Sequence, residues 1–142
     1  MDVAIEGQPP PPPGRETTTW YRLVSADYLK VMGIALRRGR GFVPHDPTLS
    51  VIVNETAARR FWPGQDPVGR RVRFGSETRP SFTVIGVAGD VSMRGARGEL
   101  APRYAALLAI PEPGTNIVLR SSTGADSVES LTSSLRAAVR SI

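Results

Sequence analysis

The sequence predicts an α+β fold in which short helices pack on one face of one or more small mixed sheets. Runs of β-branched and aromatic residues, typical of strands, alternate with segments whose apolar residues recur at helical spacing. The 142 residues include 14 glycines and 13 prolines, so the elements between them must be short. Apolar residues make up 40% of the chain and few of them are aromatic, so we expect a core built from Val, Ile, Leu and Ala.

Residues 1–19 are predicted to form a proline-rich linker or an edge of the domain. The stretch QPPPPPG, residues 8–14, favours extended polyproline II because each proline ring fixes φ and removes a backbone donor. This composition is typical of a stiff spacer, and it is also that of a ligand for an SH3-type domain.

The next segment is predicted to contain a strand, a short helix and a second strand. TTTWYRLV, residues 17–24, is β-branched and aromatic and therefore favours a strand. Ser25 is expected to cap a helix over residues 26–32, which Gly33 ends in the left-handed conformation. The inner face of this helix would carry Tyr28, Val31 and Met32. A short strand and a glycine-rich bend follow in IALRRGRGF, residues 34–42.

The stretch VNETAARRFWPGQDPVGRRVRFG, residues 53–75, is predicted to join a buried strand, a helix and a half-exposed strand. Asn54 ends the strand SVIVN and caps the helix, which would run from Glu55 to Trp62 and be stopped by Pro63. The apolar side of this helix would carry Ala57, Ala58, Phe61 and Trp62. Arg59 and Arg60 would face water.

PGQDPVG, residues 63–69, is predicted to be a double turn. Asp66 can accept a hydrogen bond from the backbone ahead of it, Pro67 fixes φ, and Gly69 can adopt a positive φ. RRVRF then alternates arginine with apolar residues, which indicates a half-exposed strand over residues 70–74.

The remaining elements are three strands and a helix. SFTVIGVAGDV, residues 81–91, is predicted to be a mostly buried strand in which Gly86 and Gly89 indicate a bulge or a close backbone approach. SMRGARGEL is predicted to be a loop. RYAALLAI, residues 103–110, has helix-forming residues between two prolines, and we predict a strand there; residues 116–121 are predicted to form another. The apolar positions of the final helix, at spacings of three and four, are Val128, Leu131, Leu135, Ala138 or Val139, and Ile142.

The chain carries a formal charge of +5, from 18 basic and 13 acidic residues, and Lys30 is its only lysine. An arginine excess of this kind is typical of proteins that bind nucleic acid or another anionic surface, and biased base composition in the coding DNA produces the same excess. The arginines that could converge are Arg37, Arg38 and Arg40; Arg59 and Arg60; Arg70, Arg71 and Arg73; and Arg94, Arg97 and Arg103. No helix-turn-helix or RNP-like pattern accompanies them.

Few residues in the sequence suit catalysis or metal binding. There is no cysteine, and the single histidine, His45, lies beside Asp46 in a proline-flanked turn without a GxSxG motif. Asp66 and Asp90 lie in turns and would have to meet in space to hold a metal. We therefore predict no catalytic, cofactor-binding or metal-binding residues, and keep a His45-dependent hydrolase as a minor hypothesis.

Four segments occur in an order that resembles the MacB-like periplasmic core domain of FtsX-type ABC transporter permeases. These segments are VSADYLKVMGIALRRGRGF, VIVNETAARRFWPGQDPVGRRVRFG, FTVIGVAGDV and IVLRSS with the later SLRAAVR. The resemblance covers residues 20–142 and is strongest in NETAARRFWPGQDPVGRR. Within the family it is closest to the duplicated orphan permeases abundant in acidobacteria.

This resemblance implies a non-catalytic domain outside the inner membrane that relays conformational change or contacts substrate or partner proteins during export. Residues 20–100 would form a small α/β subdomain, and residues 101–142 part of a porter-like βαβ subdomain. The implied partners are the permease's own transmembrane helices, an ATPase subunit and a periplasmic protein. The short start and the missing last strand indicate an excised fragment, whose unpaired edge predicts a homodimer. The residues expected to hold the domain in shape are Gly33, Asn54, Phe61, Trp62, Pro63, Asp66, Pro67 and Gly69.

Overall fold

The computed structural model describes residues 2–10, 12, 19–44, 46, 49–94, 100–102, 105–108 and 132. In chain order the elements are β1 Val3–Ile5, β2 Trp20–Leu23, α1 Tyr28–Met32, β3 Leu36–Gly39, β4 Ser50–Asn54, α2 Glu55–Phe61, β5 Arg71–Phe74, β6 Ser81–Ala88, β7 Ser92–Arg94, β8 Leu100–Pro102 and β9 Ala105–Leu108. His45, the predicted strand over residues 116–121 and the predicted final helix lie outside the described residues.

Seven strands form one mixed sheet, which confirms the predicted α+β class. The strand order is β1-β5-β6-β4-β9-β2, and β3 pairs with β6 as well. β4 runs parallel to β6 and β2 parallel to β9, whereas the other pairs in this sheet are antiparallel. β5 and β3 pair with the same edge of β6. β5 lies opposite residues 81–83, and β3 lies opposite residues 86–88. β7 and β8 form a separate antiparallel pair, and β7 and the first residue of β8 lie in the segment predicted to be a loop.

β6 contains a bulge at the point where its neighbour changes from β5 to β3. Val51 of β4 lies opposite Val84, but the next residue lies opposite Gly86, so Ile85 is an extra residue in the ladder. A Cβ atom on Gly86 would lie 2.6 Å from the carbonyl oxygen of Arg40, which confirms the predicted bulge and close approach there. At Gly89 a Cβ atom would make only ordinary contacts. The bulge reverses the alternation of side chains along β6.

The buried apolar residues form two clusters on opposite faces of the sheet. One comprises Val3, Val51, Val53, Ala57, Phe61, Trp62, Val72, Phe74, Phe82, Val84 and Val87. The other comprises Val24, Leu29, Phe42, Ile52, Ile85 and Ala88. Alternate residues of β4 point to opposite faces, so Val51 and Val53 face α2 whereas Ile52 faces α1. Both helices were predicted on one face, and the structure differs because β4 is buried on both sides.

The first helix is shorter than predicted and buries a different residue. α1 begins at Tyr28, its N-cap residue is Asp27, and no side chain caps it. Ser25 instead accepts a hydrogen bond from the backbone N–H of Tyr28 through its carbonyl oxygen, at 3.1 Å. Leu29 is the buried residue of the helix, and Met32 is exposed. Gly33 follows the helix with φ of 66°, in the left-handed region.

Two strands, β1 and β9, pair with strands that are distant from them in the sequence. β1 lies within residues 1–19 and pairs with β5, and its Val3 is buried in the α2-side cluster. A three-residue strand is too short to produce a periodic signal in the sequence. β9, which confirms the predicted strand around Ala105–Leu108, lies between β4 and β2. The division into subdomains at residue 100 stays a prediction.

The sheet curls around the α2-side cluster. Tyr21 of β2 and Phe74 of β5 belong to strands near opposite ends of the strand order, yet their ring centroids are 6.1 Å apart. Leu23 of β2 also packs against this cluster. Because strand twist accumulates across a sheet, strands far apart in the order can approach one another over one face. The result is a curved sheet whose concave face holds α2.

Candidate functional site

Asn54 connects the end of β4, the first turn of α2 and the chain that follows β6. Its side-chain oxygen accepts a hydrogen bond from the backbone N–H of Ala57 at 3.0 Å, the N-cap arrangement expected from the sequence. Its side-chain nitrogen donates to Oδ1 of Asp90 at 2.7 Å. Asn54 is buried, so its bond to Ala57 forms away from bulk water, whereas its bond to Asp90 is partly buried.

Asp90 is the acceptor on which four donors converge. The backbone N–H of Thr56 donates to Oδ1 at 2.9 Å, and the Thr56 hydroxyl donates to Oδ2 at 2.7 Å. Arg59 adds an ion pair, with Nη2 at 3.2 Å from Oδ2. Burial raises the pKa of Asp90, but the hydrogen bonds from Thr56 and the charge and hydrogen bond of Arg59 outweigh it, so the pKa is lowered. Asp90 is therefore held as a carboxylate.

The turn after α2 is built by the residues that the sequence singled out. The helix ends at Phe61, one residue earlier than predicted, and Pro63 follows in an exposed turn. Asp66 Oδ1 accepts from the backbone N–H of Val68 at 3.0 Å, and Pro67 is buried. Gly69 has φ of 84° and donates its N–H to the carbonyl of Val84 at 2.8 Å. These contacts connect the turn directly to β6.

Phe61 and Trp62 anchor α2 on the sheet. Their rings meet edge to face, with centroids 5.8 Å apart and planes at 85°. Trp62 is only 1% exposed, and its indole N–H has no hydrogen-bond partner among the described residues. Burial of two large aromatic side chains stabilises this contact by several kcal/mol, about 2–3 kcal/mol for each.

An open cleft of about 410 Å³ lies beside α2, between β3 and the turn that follows the helix. Its lining residues are Arg37, Arg38, Glu55, Ala58, Arg59, Trp62, Gly64, Gln65, Asp66, Pro67 and Val87. Two of the four arginine groups noted in the sequence meet here, one from β3 and one from α2. The segments lie far apart in the chain, so only the tertiary structure could bring them together.

Two adjacent arginines line the same cleft because β3 is irregular. Leu36 lies opposite Ala88 and Arg38 opposite Val87, so Arg37 is an extra residue in that ladder. In a regular strand, Arg37 and Arg38 would point to opposite faces. Arg37 forms an ion pair with Glu55 at 3.7 Å. The Arg38 side chain has no hydrogen bond or ion pair with any described residue.

The residues considered for chemistry are placed in structural roles wherever the structure describes them. Asp66 caps a turn and Asp90 accepts hydrogen bonds from α2. Within the described part of the chain no three His, Cys, Asp or Glu side chains are grouped to hold a metal ion. Thr56, whose hydroxyl and N–H both donate to Asp90, was not predicted, because a threonine in a first helical turn carries no distinctive signal.

The fold and this site define the chain as an α+β domain whose distinctive residues hold a helix on a curved sheet. The family model for the MacB-like periplasmic core domain matches residues 7–138, so the chain belongs to that family. It is an extracytoplasmic domain of an ABC transporter permease of the inner membrane. Among the described residues no helix has the length and apolar content to cross a membrane.

Solved structures share this fold. The periplasmic region of MacB from Actinobacillus actinomycetemcomitans superimposes with a TM-score of 0.64 at 16% identity, over 97% of this chain and 62% of that one. A domain of a putative permease protein from Porphyromonas gingivalis superimposes with a TM-score of 0.62 at 18% identity, over 95% of this chain and 63% of that one. The extracellular domain of the noncanonic ABC-type transporter YknZ from Gram-positive bacteria superimposes with a TM-score of 0.57 at 17% identity, over 91% of this chain and 67% of that one.

This chain therefore spans about three-fifths of the first of these structures. No curated protein is significantly similar to it in sequence. The closer resemblance to acidobacterial orphan permeases stays a prediction.

Proposed function

We propose that this domain is a non-catalytic mechanical module that relays conformational change during export and contacts a substrate or partner protein. The observation that carries the proposal is the Asp90 network, because it joins the end of β6 to α2 through four donors. A module that transmits displacement must keep its own elements fixed relative to one another. Contacts of this kind suit that task, because they fix the first turn of α2 against the chain that follows β6.

The partners we propose follow from membership of the permease family. They are the transmembrane helices of the full-length permease, an ATPase subunit on the cytoplasmic side and a protein on the periplasmic side. A homodimer stays a further prediction, which sedimentation of the concentrated chain would check. Nucleic acid is not proposed, because Trp62, the aromatic residue of the arginine-lined cleft, is buried and cannot stack on a base.

Distances between spin labels in the full-length permease test the proposal. Lys30 and Glu77 are exposed on different parts of the domain and are suitable for paired cysteine labels. We expect the distance between these labels to stay constant between nucleotide-free and ATP-bound states. The distance from either label to a label in a membrane helix should change between the same states.

A permease whose ATPase cannot hydrolyse ATP provides the control for turnover. If the domain stayed stationary relative to the membrane helices while export proceeded, the relay would be refuted. Enzymatic turnover by the isolated chain would refute the non-catalytic part of the proposal.

A further inference from the structure

We propose that the arginine-lined cleft binds an extended, acidic peptide segment of a protein partner through the carboxylates of its side chains. The inference rests on the proposed function, since it assigns a surface and a ligand class to the contact with a partner. Arg38 is the primary binding residue, and Arg37 and Arg59 flank it.

The position of the arginines supports a site for a carboxylate. The irregularity at Arg37 turns two adjacent guanidinium groups into one cleft, where Arg59 of α2 is also present. A guanidinium group presents paired N–H donors that match the two oxygens of a carboxylate. No described residue pairs with Arg38, so none of them competes with a ligand for its charge or its N–H donors.

Of the three cleft arginines, Arg37 pairs with Glu55 and Arg59 with Asp90, and no described acidic residue pairs with Arg38. Asp66 keeps its negative charge, but its Oδ1 accepts from the backbone of Val68 and it forms no ion pair with a described arginine. Glu55 reaches Arg37 only at 3.7 Å, and the two side chains are 37% and 57% exposed. An exposed ion pair of this length contributes little stability and exchanges readily with a competing carboxylate.

The shape of the cleft favours a peptide over the other anionic partners. Its apolar lining includes Ala58, Pro67 and Val87, which can pack against the aliphatic part of a glutamate side chain. Its volume is at the lower end of the range of about 300–1,000 Å³ for ligand pockets, which suits one or two side chains. A surface that inserts into a membrane presents large exposed apolar residues beside its basic groups. Of the large apolar residues exposed in the described chain, only Leu36 belongs to a strand that lines the cleft.

The test measures binding of a short peptide of alternating glutamate and glycine to the 142-residue chain. In a Trp20→Phe background Trp62 is the only tryptophan, so its fluorescence reports events at the cleft. We expect Arg38→Gln to weaken binding about tenfold, as loss of a charge-assisted pair does. Arg79→Gln removes an equally charged, exposed arginine outside the cleft and should leave the affinity unchanged.

Glu55→Gln should change the affinity for the peptide in the opposite direction. It removes the carboxylate that competes for Arg37, so we expect the peptide to bind about threefold more tightly. Agreement of both variants with expectation cannot result from unfolding, because unfolding would weaken binding in each case.

Three results would overturn the proposal. These are equal weakening by Arg38→Gln and Arg79→Gln, equal binding of a glutamine–glycine peptide, and binding to phosphatidylglycerol vesicles without binding to the peptide. None of them would bear on the label distances in the full-length permease, so the proposed function would be judged separately.

Discussion

The side-chain amide of Asn54 donates a hydrogen bond to Oδ1 of Asp90 over 2.7 Å, although 36 positions separate the two residues. The same asparagine caps α2 through its side-chain oxygen. A cap of this kind normally acts within one helical turn. Here it also binds the segment that follows β6, so the orientation of α2 depends on a long-range contact as well as a local one.

Removal of the Asn54 side chain should therefore destabilise the domain. We expect Asn54→Ala to lower the free energy of unfolding by about 2 kcal/mol, because the cap is lost and Asp90 loses a buried donor. Chemical denaturation followed by circular dichroism measures this change. Gln65→Ala removes an exposed amide from the following turn and should change stability by less than about 0.5 kcal/mol. Equal effects of the two substitutions would show that the cap contributes nothing.

The lowered pKa of Asp90 should make the contribution of this residue depend on pH. The group binds protons less readily in the folded state than in the unfolded state. Its stabilising contribution is therefore complete above its unfolded pKa of about 3.9 and is lost as the pH falls through the lower folded pKa.

The difference in unfolding free energy between the natural chain and Asp90→Asn isolates this contribution. We expect the difference to be largest at neutral pH and to shrink in acid, as measured by denaturant titrations at several pH values. Arg59→Ala, which removes only the exposed partner in the ion pair, should cost less than about 1 kcal/mol. A difference that stayed constant down to the lowest pH would contradict the lowered pKa.

Gly39 and Gly69 offer a matched comparison between backbone strain and steric overlap. Both have a positive φ, of 70° and 84° respectively. A Cβ atom at Gly69 would meet nothing within 4 Å, whereas one at Gly39 would overlap the backbone of Ile85 and lie 2.8 Å from Cα of Gly86.

We expect Gly69→Ala to cost about 1 kcal/mol and Gly39→Ala about 3 kcal/mol or more, because the second substitution adds a backbone overlap. Thermal melts of the two variants measure the difference. Gly69→Val should lower the melting temperature further than Gly69→Ala, since a β-branched side chain adopts a positive φ least readily. Equal melting temperatures for the two alanine variants would refute the overlap at Gly39.

The contact between Tyr21 and Phe74 should contribute to the curvature of the sheet. A double-mutant cycle with Tyr21→Leu and Phe74→Leu isolates the interaction between the rings from the loss of buried area. We expect a coupling free energy of about 0.5–1 kcal/mol, in the range of aromatic pairs. Additive effects would indicate that β2 and β5 do not hold one another across the concave face.

Much of the local structure was predictable because its causes lie within a few residues. The strand SVIVN, the cap at Asn54 and the positive φ of Gly69 each follow from side-chain type and spacing. The bulge at Gly86 was also predictable, because a glycine inside a strand pattern often marks a bulge or a close backbone approach. The resemblance to the family was also predictable, because it depends on the order of several such segments along the sequence.

Only the tertiary structure decided which distant residues meet. The two helices lie on opposite faces because β4 is buried on both sides. Its Val51 and Val53 face α2, and Ile52 between them faces α1. Convergence of Arg38 and Arg59 depends on an irregular strand register that no local pattern encodes. Side-chain type and spacing determine what a short segment can form, whereas its neighbours are selected by the burial of apolar area summed over the whole sheet.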